Sequence, residues 1–238
     1  MNCLILAAGL GSRLRGVSQS KPLTPVGGVP LIEHVIRRAA TGGATRVLVV
    51  TGHEGERLEA FLAELQFRLA LPIGWERAED WTLANGHSVL AGASVLTGDY
   101  LLTMADHLFD PDIVKRLLAH RAAGVNLAID SNLTGPLLDI DDATKVELAD
   151  DGRIARIGKA LASYDAIDTG VFLATPALVD AIRADITAGG SGSLSEGVQR
   201  LADAGLASTV DIGASRWIDV DSPAMLELAE AFVRDSAA

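Results

Sequence analysis

The sequence predicts an α/β protein built on a doubly wound sheet, with one β-hairpin arm. Three observations carry that prediction. Apolar runs without alternation, at residues 4–8 and 47–50, suit strands buried on both faces of a parallel sheet. Between such runs lie segments whose apolar residues recur at helical spacing. From residue 137 to 160 the pattern switches to alternation around Asp150-Asp151-Gly152, which reads as an antiparallel hairpin. At 238 residues the chain suits a single domain, 1–238, with 137–160 as the arm.

In order, the first strand ends in Ala7-Ala8-Gly9-Leu10-Gly11, and a turn-rich connector leads to a helix over 31–40. Pro30 suits that helix's first position and Gly42-Gly43 its end. A second strand over 46–51 and a helix over 54–65 follow, then a third strand within 67–76. Asn85-Gly86 stands at the start of a helix over 86–95, with Ser88 in its first turn; donors there could meet a base or ribose. A fourth strand, 100–107, runs into Asp106, and a helix over 112–122 follows with Asp110 as its expected cap. A short strand at 126–130, the hairpin, and a strand at 164–173 come next. Helices are expected over 176–186, 194–204 and 222–234, with a strand at 208–212. The Gly/Ser run 188–193 reads as a mobile flap.

Composition narrows the partners. A formal charge of −11 argues against nucleic acid and anionic membrane surfaces. A chain of this charge that handles polyanions must gather its few cations locally and recruit a metal. The single cysteine, Cys3, lies in the first strand and excludes an internal disulfide. No apolar run approaches membrane-spanning length, so the expectation is a cytoplasmic protein without membrane insertion. Nothing in the pattern decides between a monomer and a homodimer.

The chemistry concentrates at the end of the first strand. A glycine turn there lets backbone N–H groups approach a phosphate, and Arg13 and Lys21 supply charge that a backbone lacks. This is not the dinucleotide fingerprint, because Leu14 stands where the third glycine belongs; nor does a Gly-Lys-Ser/Thr close a Walker loop. Ligands of open α/β sheets bind outside the carboxyl ends of strands. Asp106 is therefore placed to hold Mg²⁺, a hard cation that takes carboxylates and substrate phosphates. Trp217-Ile218-Asp219-Val220-Asp221 offers two further acids spaced to one side of a short strand, ahead of a Ser222-Pro223 helix start.

Leu-Ala-Ala-Gly-x-Gly-x-Arg-Leu at 6–14, followed by Lys21-Pro22-Leu23, resembles the signature of the sugar-phosphate nucleotidyltransferases. That family usually has proline before the lysine; this chain has Ser20. The resemblance implies a Rossmann-like mixed sheet of the nucleotide-diphospho-sugar transferase type, Mg²⁺ as cofactor, and transfer of a nucleotidyl group with release of pyrophosphate. It implies catalytic roles for Arg13 and Lys21, and nucleotide contacts from Ala7, Ala8, Gly9, Gly11, Asn85, Gly86 and Ser88. It makes Asp219 the second metal carboxylate, with Asp221 an alternative ligand or a supporting partner. The hairpin segments around Asp142, Lys145, Lys159 and Asp168, with Asp106-His107, resemble the branch that moves CMP from CTP to inositol 1-phosphate. In that reading Asp141, Asp142 and Asp168 accept hydroxyl protons of a polyol, and Lys145 and Lys159 hold its phosphate. Other sugar-1-phosphate uridylyl-, thymidylyl- or guanylyltransferases remain alternatives. So does a phosphocholine cytidylyltransferase, for which Tyr164, Trp81 and Trp75 are the available aromatic residues.

Overall fold

The computed structural model of the chain describes residues 1–14 and 16–235. β1 (Asn2–Ala7) leads through single 3₁₀ turns at Ser12–Leu14 and Lys21–Leu23 to a short ribbon, β2 (Pro25–Val26) and β3 (Val29–Pro30). Then come α1 (Leu31–Gly42), β4 (Arg46–Thr51), α2 (Gly55–Leu69), β5 (Ile73–Arg77), α3 (Asn85–Ala93), β6 (Tyr100–Met104) and β7 (His107–Phe109). The chain continues through α4 (Pro111–Leu118), β8 (Val125–Asp130), β9 (Lys145–Leu148), β10 (Ile154–Gly158) and β11 (Ala166–Ala174). It closes with α5 (Pro176–Thr187), α6 (Leu194–Asp203), β12 (Ala207–Asp211), β13 (Trp217–Asp219) and α7 (Pro223–Asp235).

The main sheet runs β10-β9-β11-β6-β1-β4-β5, with β8 on β11 and β12 on β8. β1, β4, β5 and β6 are mutually parallel, whereas β11 runs antiparallel to β6, β8 and β9. This is the mixed α/β sheet that the sequence predicts. Side-chain alternation along β1 splits the core. Cys3, Ile5 and Ala7 join one apolar cluster, under α1, α2, α4 and α7; Leu4, Leu6 and Ala8 join the other, under α3, α5 and α6. Both faces are covered, which is why β1 and β4 read as continuous apolar runs.

Several boundaries differ from the pattern. α2 runs on to Leu69, and Phe67 is an exposed residue on its surface, so the third strand begins only at Ile73, after Pro72. The first limb of the hairpin is confined to Lys145–Leu148. Residues 137–144 turn instead of extending: Leu137, Leu138 and Ala143 pack on the core, and Ala143 N–H donates to the Asp139 carbonyl. The hairpin itself forms as expected, β9 pairing with β10 at the sheet edge. The expected flap at 188–193 is pinned: Gly192 N–H donates to Asp185, and Ser193 and Glu196 form a capping box on α6. Asp110 stands at the cap position of α4, but its carboxylate accepts from the Arg216 N–H instead of capping.

Candidate active site

The carboxyl ends of β1 and β6 open into a cavity of about 340 Å³. Ala8 and Gly9 line it after β1, and Met104, Asp106 and His107 line it after β6. A register shift between Asp168 and Phe172, where β11 pairs with β8, turns Asp168 and Gly170 into it. β13 pairs antiparallel with β7, Asp219 opposite His107, and so delivers Asp219 beside Asp106 from far along the chain. Asp221 follows on the same wall. At the other end stand Trp81, Leu83, Asn85 and Ser88; residues 137–144 and Lys159 close the side toward the hairpin.

Cations and acids interlock here. Lys21 Nζ is 2.5 Å from Asp106 Oδ2 and 4.0 Å from Asp219 Oδ1. Burial pulls the Lys21 ammonium down, but Asp106, Asp219 and Asp221 outweigh it and hold it above its ordinary value. Gly11, at φ +59, is what admits Lys21: a Cβ there would lie 2.5 Å from the Lys21 Cβ. His107 Nδ1 donates to Asp106 Oδ1 at 2.8 Å, and its ring stacks on Trp217 at 6.0 Å. Burial would lower the imidazole, yet Asp219, Asp106 and Asp168 together push it up to about 9. Burial raises the Asp106 carboxyl, and Lys21 and His107 overcome that, holding it well below the usual range. Asp219 goes the other way, up to about 6, chiefly through burial. Its Oδ1 is buried without a hydrogen-bond partner among the described residues.

Arg13 bridges to Asp142 at 2.8 Å and to Asp221. Asp142 also takes Lys159 Nζ at 2.9 Å. Burial raises the Asp142 carboxyl, but Arg13 and Lys159 prevail and bring it down to about 2. Asp168 accepts the Gly170 N–H at 2.7 Å, and burial pushes its carboxyl up to about 6.

The structure therefore gathers Arg13, Lys21, Asp106, Asp142, Lys159, Asp168, Asp219 and Asp221 around one cavity, with Ala8, Gly9, Asn85 and Ser88 on its walls. Four expected site residues do other work. Ala7 ends β1 opposite Thr51 and faces the core, the strand's alternation having turned it from the cavity. Gly11 shapes Lys21, as described. Gly86 is a packing glycine: a Cβ there would meet the Gly192 carbonyl oxygen at 2.1 Å. Lys145 points along the hairpin, donating to the Lys159 carbonyl and lying over Tyr164. Asp141 is exposed and off the lining. Asn85 lines the cavity, and its Oδ1 accepts the Leu194 N–H, tying α3 to α6. Asp139, Thr144 and Gly170 also line the cavity, and no sequence pattern marks them for it.

Residues 3–194 match the model of the MobA-like NTP transferase domain family. The chain belongs to this family. Within the MobA-like domain so matched lie Arg13, Lys21, Asp106 and Asp168; Asp219 and Asp221 come from the segment beyond it. The chain is 34% identical over 238 residues to a bifunctional IPC transferase and DIPP synthase of Rubrobacter xylanophilus, covering 98% of this chain and 52% of that protein. A protein of the same name from Archaeoglobus fulgidus is 33% identical over 173 residues, 73% of this chain and 32% of that one. The chain thus spans about half or less of the length of these relatives. The MobA-like fold extends to solved structures. The inositol-1-phosphate CTP transferase from T. maritima superposes with a TM-score of 0.87 at 24% identity, covering 98% and 95% of the two chains. A UDP-glucose pyrophosphorylase complexed with UDP-glucose superposes at 0.81 with 17% identity, covering 99% and 98%. Among the described residues no helix is long and apolar enough to cross a membrane.

Proposed function

We propose that this chain is a metal-dependent cytidylyltransferase that moves CMP from CTP to inositol 1-phosphate and releases pyrophosphate. The observation that carries the reaction type is the Lys21–Asp106–Asp219 cluster at the carboxyl ends of β1 and β6, beside a glycine turn. The donor and acceptor rest on the relatives: IPC transferase is part of the name of the protein 34% identical to this chain, and the T. maritima neighbour is an inositol-1-phosphate CTP transferase.

The residues fit a magnesium ion. The donors are hard carboxylate oxygens, and Asp219 Oδ1 is a buried acceptor with no hydrogen bond among the described residues to satisfy it. Asp106 and Asp219 would hold the ion, which when bound supplies neutralisation of phosphate charge. Asp221 sits closer to Arg13 than to this pair's lysine, so its part is to hold the arginine.

The chain's own residues do the rest by positioning and charge. The acceptor is a phosphomonoester whose second pKa is about 6, so it is mostly dianionic near neutral pH and needs no general base. One of its oxygens attacks the α-phosphorus in line; the bond from that phosphorus to the bridging oxygen of the β-phosphate breaks, and pyrophosphate carries the electron pair away. Lys21, enclosed against Asp106, stays in place to receive the crowding charge at the α-phosphate. Arg13 is half-exposed and can exchange Asp142 for the departing β- and γ-phosphates. Ala8, Gly9, Asn85 and Ser88 face the nucleoside. Asp142, Asp168 and Lys159 form the acceptor end, where carboxylates accept from polyol hydroxyls.

The test offers purified protein and Mg²⁺ each of CTP, UTP, dTTP, GTP and ATP with inositol 1-phosphate, glucose 1-phosphate or phosphocholine, and measures pyrophosphate. The expected best pair is CTP with inositol 1-phosphate. Turnover of UTP or dTTP with a sugar phosphate would move the chain to another branch, and silence with every pair would end the enzyme reading.

A further inference from the structure

Trp81 is one of three tryptophans in a chain whose aromatic content is 4%. It stands in the connection between β5 and α3, half-buried, and lines the cavity at the end where Asn85 and Ser88 stand. Leu6, Leu83 and Met104 line the same cavity, so this end carries apolar surface as well as polar groups. Nothing in the transfer of a charged phosphoryl group calls for an indole.

Local structure holds the ring in place. The Asp80 carboxylate accepts the Thr82 N–H at 2.9 Å and the Thr82 hydroxyl at 2.5 Å, closing an Asx turn around Trp81. Gly52, just past β4, lets the tryptophan in: a Cβ there would lie 2.6 Å from the Trp81 Cβ and 2.7 Å from the Ala8 carbonyl oxygen. That carbonyl accepts the His53 N–H at 2.9 Å, and the His53 ring packs on the indole, centres 5.1 Å apart and tilted by 57°. The ends of β1 and β4 thus brace the indole from outside the cavity that it lines. Trp217 gives the contrast. Its N–H donates to Asp130 at 2.9 Å and its ring is stacked on His107, whereas the Trp81 N–H has no partner among the described residues.

A rigid aromatic ring in a cavity wall suits a planar partner. The phosphates are drawn to Lys21 and Arg13, and the polyol to Asp142, Asp168 and Lys159 on the hairpin side. A polyol phosphate has no flat face, so the base is the one planar group of the two substrates. We propose that Trp81 is the stacking platform for the donor's base, an inference that rests on the nucleotide reading above and adds to it a contact by face. Stacking of this kind tolerates any base, because every base has a π face. Trp81 therefore supplies affinity for the nucleoside, and the choice of base falls to groups that meet its edge.

The test follows the indole N–H resonances of the ¹⁵N-labelled 238-residue chain, Trp81→Phe identifying the Trp81 signal. CMP, UMP, dTMP, GMP and AMP are titrated in metal-free buffer, with ribose 5-phosphate and inositol 1-phosphate as controls that lack a base. The Trp81 signal should shift and saturate with CMP and stay unmoved by the two controls. In calorimetry, Trp81→Leu, which keeps apolar bulk without a ring, should weaken every nucleotide that binds by the same factor, about tenfold or more. Trp81→Phe should stay within about threefold of the unaltered chain, with thermal melts recorded to show that both variants are folded. A Trp81 signal that no nucleotide moves overturns the proposal, as does one that inositol 1-phosphate moves equally. Equal losses in Trp81→Leu and Trp81→Phe, or a loss confined to one base, also overturn it. A Trp81 signal that answers to another nucleotide and not to CMP would displace the cytidylyl reading and uphold the stacking one, so the two failures are told apart.

Discussion

Gly170 is where the site's geometry meets a backbone constraint, and Gly170→Ala measures both. The residue sits in β11 at φ +72, and a Cβ there would lie 2.4 Å from His107 Cδ2 and 2.7 Å from Nε2. Left-handed backbone costs an alanine about 1–2 kcal/mol. The ring cannot move aside freely, because Nδ1 is bonded to Asp106 and the ring is stacked on Trp217. Forcing it off adds an overpacking cost of about 1–3 kcal/mol. Gly170→Ala should therefore lose about 2–5 kcal/mol of unfolding free energy in urea. In a His107→Ala background the collision disappears and only the backbone strain remains. The double-mutant cycle should return a coupling of about 1–3 kcal/mol. A loss below about 1 kcal/mol, or a cost that His107→Ala does not relieve, would refute the claim that the glycine exists to seat the imidazole.

Three further expectations follow from the same contacts. The Glu196 carboxylate, bonded by Ser191 and the Ser193 N–H, is held down to about 2. Its capping contribution, about 1 kcal/mol, is thus complete above the unfolded value near ~4.3 and lost as pH falls through ~2; an NMR titration gives the midpoint, and Glu196→Gln should remove the dependence. Burial pushes the Cys3 thiol up to about 12, so native protein should resist thiol reagents at neutral pH and label only on unfolding; rapid labelling of folded protein would contradict its place in β1. Lys145→Ala should leave the acceptor KM within about twofold, whereas Lys159→Ala should raise it about tenfold, since Lys159 alone of the two lines the cavity.

How much of this was legible in the sequence depended on the kind of constraint. β4 was readable to the residue, because a strand buried on both faces carries its signal in every position. Asp106 was readable because it stands just past the end of such a strand, where ligands of these sheets gather, although the strand itself stops at Met104 instead of running to His107. Lys145 was not, since alternation in a hairpin says that two faces exist without saying which one looks toward a cavity. Gly11 and Gly86 look alike as turn residues, yet one admits a lysine and the other a neighbouring loop's backbone, a distinction that only tertiary contact makes. The Arg13–Asp221 pair joins the first turn of the chain to the segment just after its last strand, and no local pattern reports it. The 188–193 run has a flexible composition but is pinned by Asp185, a buried acid with no local signature.

The central claim is that the acid-and-cation cavity joins CMP to a phosphorylated polyol. The direct measurement is ³¹P NMR of CTP, inositol 1-phosphate and Mg²⁺ incubated with the protein, alongside Asp219→Asn. The expected result is loss of both substrates' signals, growth of free pyrophosphate, and a new pair of diphosphodiester resonances that Asp219→Asn suppresses. Intact CTP, or inorganic phosphate without a diphosphodiester, would contradict it.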